Sequence, residues 1–318
     1  MRRSVIALVG ATSLLVAEGA TAPLQNPLIG DEIGIDHILL WSRDNKSAET
    51  AFERLGFTVS PKAGSYGAGI SNKLVWFKNW TFIEFLWLSE PNKAKAEAEK
   101  EYAHASTTNG SNGFGISVRD ADETYRMLAA AGLNPEQPGA EAYDPDGPDG
   151  PKAPVVNQWR FMFLKDAALA GNPFFVEYKK KAEGDRPEQH ANGAQRMSAV
   201  WILVKDLPKA TTKYAGAAFG PGRRVVLRNL GLAGVALRAG EGEIFLLKPT
   251  RMGAYNQALQ RRGEHVFGIS LQVSDLEATR KLLKKRIGSD PMPHSGRFGH
   301  SIIPAVQAPL GLTFEFHQ

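Results

Sequence analysis

The stretch Ile35-Asp36-His37-Ile38-Leu39-Leu40-Trp41-Ser42-Arg43-Asp44 decides the fold, because its plan returns three more times along the chain. An apolar run of strand length ends in Asp, an amphipathic stretch follows, and a glycine closes it. The second copy is Gly113-Phe114-Gly115-Ile116-Ser117-Val118-Arg119-Asp120, the third Ala199-Val200-Trp201-Ile202-Leu203-Val204-Lys205-Asp206, and the fourth Gly268-Ile269-Ser270-Leu271-Gln272-Val273-Ser274-Asp275. The closing glycines are Gly56, Gly132, Gly220 and Gly288, 12 to 14 residues after the Asp. Each part has a physical reason. The apolar run reads as a buried strand. The Asp, or a residue just after it, caps a helix by accepting its unpaired backbone N–H groups. Ala48, Phe52 and Leu55 mark one apolar helix face, as do Leu276, Leu282 and Leu283. Glycine suits a helix end because it tolerates positive φ.

Further strand candidates follow each helix. They are Lys73–Phe77 and Thr81–Leu88; Trp159–Leu164 and Pro173–Lys179; Arg224–Leu227, Leu232–Arg238 and Glu243–Leu247; and Ser301–Val306 and Leu312–Phe316. The repeating unit is strand, helix, then two or three strands, which makes the chain α+β.

The bulk numbers bound the function. With 318 residues, 43% of them hydrophobic, the chain can form one or two compact domains. The net charge of +5 is mild, and the basic residues are scattered. The runs Lys179–Lys181 and Lys284–Arg286 read as solvated faces, which argues against a nucleic-acid partner. The absence of cysteine excludes disulfides, thiolate metal sites and a cysteine nucleophile. Arg2 and Arg3, the apolar run Val5–Ala17 and the small residues Gly19, Ala20 and Ala22 have the layout of a secretory leader over residues 1–25. The expectation is an exported protein, periplasmic or secreted, without stable membrane insertion after cleavage. The apolar run is short for a membrane span.

Several pieces, in this order and spacing, resemble the vicinal-oxygen-chelate superfamily and its glyoxalase-like group. They are Ile35–Leu40, Gly69-Ile70-Ser71-Asn72-Lys73-Leu74, Phe82-Ile83-Glu84-Phe85-Leu86, Asn172-Pro173-Phe174-Phe175-Val176-Glu177, and Arg186-Pro187 followed by His190-Ala191-Asn192-Gly193-Ala194. The resemblance implies four βαβββ-type units paired into two open β-cups, over residues 30–183 and 195–318, linked by the polar Arg186–Asn192 stretch.

It also implies where a site lies. In metal-using relatives each unit places one ligand on its first strand and a glutamate on its last. In the first cup those positions are His37, Glu84, Gly113 and Glu177. His37, Glu84 and Glu177 are the candidate metal ligands, for zinc, iron, manganese or nickel, with Glu84 and Glu177 as candidate proton carriers. Gly113 departs from the pattern. Glu84 lies in a strongly apolar strand and needs a partner: a metal, a basic side chain or a hydrogen-bond donor. A metal-free polar pocket built from the same residues is the other reading. Ser71, Asn72 and Trp159 are candidate substrate contacts. Trp76, Trp80, Trp87 and Trp201 are strand-region tryptophans of core or pocket type.

The second cup offers Ala199, Phe245, Gly268 and Glu315, of which only Glu315 could ligate; His265, His300 and His317 lie elsewhere. It lacks the two His and one Glu that ring-cleaving dioxygenases of this architecture carry, which argues against that reaction. Asp144–Gly150 reads as a rigid polar loop bordering the cup, because its spacing and prolines do not fit a calcium-binding EF-hand. Gly64–Gly69 precedes a strand and not a helix, so it reads as a pocket rim and not a phosphate cradle. Two functions follow as expectations: a metal-dependent lyase or isomerase acting on a small oxygenated carbonyl or hydroxy compound, or a metal-free protein that binds or sequesters a small molecule, of the bleomycin-resistance kind. Two cups in one chain leave monomer and homodimer both open.

Overall fold

The computed structural model describes residues 34–66, 69–93, 110–140, 142–145, 147, 159–179, 186–305 and 310–318. The expected leader, residues 67–68 of the glycine-rich rim, residues 146 and 148–150 of the polar loop, and Lys180–Lys181 lie outside the described residues.

The strands form two eight-stranded mixed sheets, each curled into a half-barrel. The first holds β1 (Ile35–Trp41), β2 (Gly64–Tyr66), β3 (Ile70–Trp76), β4 (Phe82–Leu88), β5 (Gly110–Ser117), β6 (Tyr143–Asp144), β7 (Trp159–Met162) and β8 (Pro173–Tyr178), in the order β6-β2-β3-β4-β1-β5-β8-β7. The second holds β9 (Ala194–Leu203), β10 (Arg223–Leu227), β11 (Leu232–Ala239), β12 (Gly242–Pro249), β13 (His265–Val273), β14 (Met292–Gly296), β15 (Gly299–Ile303) and β16 (Thr313–His317), in the order β10-β11-β12-β9-β13-β16-β15-β14. One rule builds both. The first strand of each unit lies parallel to its last: β1 with β4, β5 with β8, β9 with β12, β13 with β16. Two units then join through their first strands, antiparallel, as β1–β5 and β9–β13.

The aspartates cap the helices as expected. Asp44 accepts from Lys46 and Ser47 at the start of α1 (Asn45–Arg54), Asp120 from Glu123 at α2 (Ala121–Ala130), Asp206 from Lys209 at α3 (Leu207–Gly216), and Asp275 from Ala278 at the last repeat helix (Leu276–Ile287). Gly56, Gly132 and Gly288 take positive φ just past three of these helices. Gly220 does not; Ala218 takes the left-handed turn after α3 instead, at φ 62°. Among the described residues one α-helix falls outside the repeat: α4 (Ala254–Arg262), between β12 and β13, so the last repeat helix is α5. The short strands β2, β6 and β14 are likewise additions to the sequence reading.

Strand alternation splits each sheet into a helix side and a cup side. On the helix side, Ile38, Leu40, Ile83, Phe85, Phe114, Ile116 and Phe175 join one core with Val200, Ile202, Ile244, Phe314 and Phe316 of the second sheet. Phe52 of α1 meets Phe314 edge-on at 6.3 Å, so the two sheets share one apolar layer. The link between them is a clasp. His190 Nδ1 accepts from the Thr58 N–H (3.0 Å) and its Nε2 sits 2.7 Å from the Trp76 carbonyl. Asn192 donates to the Leu55 carbonyl (2.9 Å) and accepts from Ala194 N–H (3.0 Å). All four partners are backbone groups, and the two bonds made by Asn192 are buried.

Candidate functional site in the first cup

The site begins with an irregularity in β1. Ile35 faces Ile116 and Ile38 faces Phe114, so two residues, Asp36 and His37, stand opposite the single Gly115. This β-bulge adds one residue to β1. Its signature is that Ile35 and Ile38, three apart, both enter the helix-side core. The residues between them both turn to the cup: Asp36 Oδ1 closes on His37 Nδ1 in a short hydrogen bond. A carboxylate can only accept, so Nδ1 carries a proton and Nε2 faces away from Asp36.

Nε2 faces Glu84. His37 Nε2 lies 3.4 Å from Glu84 Oε2. The other oxygen, Oε1, accepts from Asn72 Nδ2 (2.6 Å) and from the Tyr66 hydroxyl (2.8 Å). Asn72 in turn accepts from the Tyr143 hydroxyl at 3.1 Å. At the other end, the Tyr178 hydroxyl donates to Asp36 Oδ1 at 2.8 Å. The result is one polar chain, Tyr178–Asp36–His37–Glu84–Asn72–Tyr143, with Tyr66 beside it. The partner that a buried Glu84 requires is thus a set of hydrogen-bond donors. Burial, reinforced by Glu84, raises the Tyr66 hydroxyl well above the ordinary tyrosine value. Desolvation of its hydroxyl end, reinforced by Asp36, does the same to Tyr178, although its ring is partly exposed.

Packing fixes the imidazole. It stacks on Phe82 with centroids 4.3 Å apart and planes 10° apart, and meets Phe174 edge-on at 5.1 Å. Gly115 makes the space: a Cβ there would stand 2.9 Å from both His37 Cε1 and Nδ1. Gly64 does the same for Tyr143, whose hydroxyl would be 1.9 Å from an added Cβ. Tyr143 arrives from across the cup. The chain bridges Phe161 of β7 at Gly139, then pairs Tyr143 with Tyr66 of β2 at the opposite sheet edge. It therefore straps the cup between its two edges. Gly147, in the expected polar loop, hydrogen-bonds back to Asp144 and lies beside Ala63.

The structure brings some expected residues together and separates others. His37, Glu84 and Asn72 converge. Trp159 faces the cup and meets Tyr143 edge-on at 5.6 Å. Ser71 is one residue from Asn72 in a strand, so it points to the other face, where it donates to Ser89 Oγ at 2.8 Å. Glu177 is turned away for the same reason. Its neighbour Tyr178 takes the cup face, while Glu177 Oε2 accepts the N–H of Ala121 at the start of α2 (3.0 Å) and lies 3.5 Å from Arg160. Gly113 sits opposite Leu39, and an added Cβ would be 2.8 Å from the Asn172 carbonyl oxygen. Of the tryptophans, Trp76 stacks near Phe82 (4.4 Å), Trp80 lies under Arg186 (3.2 Å), and Trp87 packs on the shared core. The sequence reading passed over Asp36, Tyr66, Tyr143 and Tyr178. Adjacent polar residues at 36 and 37 inside an apolar run are the one signal that could have exposed the bulge.

The donor set bears on the implied metal. His37 Nε2 and Glu84 Oε2 converge, and Asp36 holds His37 as a second carboxylate often holds a metal-bound histidine. Glu177 and Gly113 supply nothing to that point. Among the described residues no group of three His, Asp or Glu is placed to hold a metal ion. The residues therefore do not fit a three-donor centre.

The second cup is built alike and filled. Trp201, Phe245, Leu247, Ser270 and Glu315 are each 0% exposed, whereas Tyr66, Tyr143, Trp159, Phe161 and Phe163 of the first cup are half-buried and Tyr178 is 38% exposed. Trp201, Phe245, Phe298 and His317 form a ladder of rings with spacings of 6.1, 5.9 and 4.3 Å. Glu315 accepts from Ser270 (2.6 Å) and Ser301 (2.7 Å), and burial raises its pKa. His294, 3.7 Å from Glu315, and His317 are both pushed down by burial, His317 to about 4. His265 is capped by the Gly263 carbonyl and His300 is exposed.

Comparison with known proteins agrees with this architecture. The family model of the glyoxalase-like domain matches residues 35–218. No curated protein has a significantly similar sequence. Among solved structures, a mutant of 4-hydroxymandelate synthase from Streptomyces coelicolor superposes with a TM-score of 0.63 at 12% identity, over 90% of this chain and 92% of that one. A hypothetical protein from Staphylococcus aureus gives 0.53 at 14% identity, over 89% and 98%. A fusion of a xylose isomerase-like TIM barrel with 4-hydroxyphenylpyruvate dioxygenase gives 0.57 at 14%, with 93% of this chain covering 50% of that one. At these identities the structural likeness speaks for the fold alone. With more than half of its residues matched by the family model, the chain belongs to the glyoxalase-like domain family of vicinal-oxygen-chelate proteins.

Proposed function

We propose that the first cup binds a small oxygenated carbonyl or hydroxy compound and moves a proton on it, as a lyase or isomerase does. The observation that carries this reading is the Asp36–His37–Glu84 chain inside the cup whose aromatic lining is only half-buried. Asp36 orients His37 and balances charge on it, as the carboxylate of a catalytic triad does. Nε2 and Glu84 Oε2, 3.4 Å apart, then form a pair that can take a proton from one atom of a bound molecule and return it to another. Tyr66 and Asn72 hold Glu84 Oε1, so its Oε2 is the oxygen left to act. The apolar wall of Phe82 and Phe174 limits water around the imidazole.

The metal reading keeps one supporting observation, the His37–Glu84 pair backed by Asp36. The export expected from the N-terminus remains part of the proposal and is tested by whether a residue 1–25 leader is removed on expression in a bacterial host.

The activity is tested in D2O. A panel of small aromatic and aliphatic hydroxycarbonyl compounds is incubated with the protein, and deuterium uptake is followed by mass spectrometry. Uptake by the parent that disappears in His37→Ala and Glu84→Gln supports proton transfer. If no compound exchanges, yet ligands bind and His37→Ala weakens only their affinity, the cup is a binding site without turnover.

A further inference from the structure

We infer that the first cup selects an aromatic ligand bearing a protonated amine over one bearing a carboxylate; this deepens the reading of that cup as the ligand site. Two carboxylates, Asp36 and Glu84, flank one imidazole, 2% and 4% exposed respectively. Two carboxyl groups thus stand against a single basic group, which makes the cluster acidic in composition. The surrounding walls are aromatic: Phe82 and Phe174 lie in ring contact with His37, Phe163 packs on Phe174, and Tyr143 and Trp159 close the strap side.

Among the described residues, three cations of this half are engaged elsewhere. Arg160 is held by Asp122 and Glu177 on the helix side, and Lys73 by Glu49. Arg186 pairs with Glu188 (3.0 Å) and lies over the Trp80 ring. Among the described residues no Lys or Arg forms an ion pair with Asp36 or Glu84. The hydroxyls of Tyr66 and Tyr178 report the same sign of field, since after burial the largest influence on Tyr66 is Glu84 and on Tyr178 is Asp36. Bringing an anionic group into this pocket sets like charges together in a poorly screened space. An ammonium group gains both the carboxylates and the faces of the rings.

The test uses three probes that share one phenol ring: tyramine, the neutral alcohol tyrosol, and 4-hydroxyphenylacetate. Binding is measured on the full-length protein by tryptophan fluorescence and by ligand-observed NMR, at neutral pH and low ionic strength. The expected order of affinity is amine, alcohol, acid, with at least about a tenfold gap between amine and acid. The gap narrows in added salt on the parent protein and in Glu84→Gln, whose amide still accepts from Tyr66 and Asn72. An acid that binds as well as the amine overturns the inference, as does a gap indifferent to both salt and Glu84→Gln. Failure of all three probes to bind at millimolar concentration also overturns it. The proton-transfer reading is judged apart from this, by the deuterium exchange above.

Discussion

Replacing Gly115 by Ala strikes the site through one methyl group. The added Cβ would lie 2.9 Å from His37 Cε1 and Nδ1 and 3.2 Å from Phe174 Cζ. Real carbon contacts begin near 3.5 Å, so several tenths of an ångström must be found. The imidazole cannot give them freely: Phe82 stacks on one face, Asp36 holds Nδ1, and Glu84 faces Nε2. Overpacking of this kind costs about 1–3 kcal/mol. We expect urea denaturation to show a loss in that range, with displaced His37 signals in histidine-labelled NMR spectra. Gly139→Ala is the control. Among the described residues nothing lies within 4 Å of its Cβ, and its φ is not positive, so the change should stay within about 0.5 kcal/mol. Equal stability of Gly115→Ala and parent, with His37 signals unmoved, would refute the claim that Gly115 exists to seat His37.

Three further outcomes follow from the same contacts. Glu177→Gln should leave the His37 signals unchanged and cost no more than about 1 kcal/mol, the value of a partly exposed ion pair; a shift of His37 on this substitution would place Glu177 in the site after all. Asn192→Ala should cost about 2–4 kcal/mol by urea titration, because the Leu55 carbonyl and the Ala194 N–H both lose a buried partner. His317, with its folded pKa pushed down to about 4 by burial, binds its proton more readily when unfolded. Its stabilisation is therefore complete above pH ~6.5 and is lost as pH falls from there through about 4, by at most about 3 kcal/mol. Comparing unfolding midpoints of parent and His317→Gln across that window isolates the effect, and parallel pH profiles would count against it.

The fold was legible because it is written four times. Each unit repeats a buried run, an N-capping Asp and a helix, and those local devices dictate element type without reference to the rest of the chain. The pairing of units and the cups rested on the family resemblance, since periodicity does not specify which strands meet. The site was legible only in part. His37 and Glu84 stand where the resemblance placed them. Ser71 and Glu177 failed because strand alternation sends neighbours to opposite faces, so choosing the wrong one of two adjacent residues, Ser71 for Asn72 or Glu177 for Tyr178, loses the contact. Asp36 escaped because a β-bulge breaks the alternation on which such assignments depend. Tyr143 is delivered by a strap that crosses from one sheet edge to the other, and no local pattern encodes that path. The glycines proved informative in a way composition hides: Gly64 and Gly115 mark where a ring or an imidazole needs the room of a missing Cβ.

The central claim is that His37 is a fixed, proton-bearing imidazole held by Asp36 and presented to Glu84. Long-range nitrogen–proton NMR correlation on histidine-labelled protein tests it most directly. The account predicts a slowly exchanging, strongly hydrogen-bonded proton on His37 Nδ1 that is disturbed by Asp36→Asn, together with an Nε2 signal that moves in Glu84→Gln and on ligand addition. An Nδ1 without a proton, or a His37 ring indifferent to both substitutions, would contradict it.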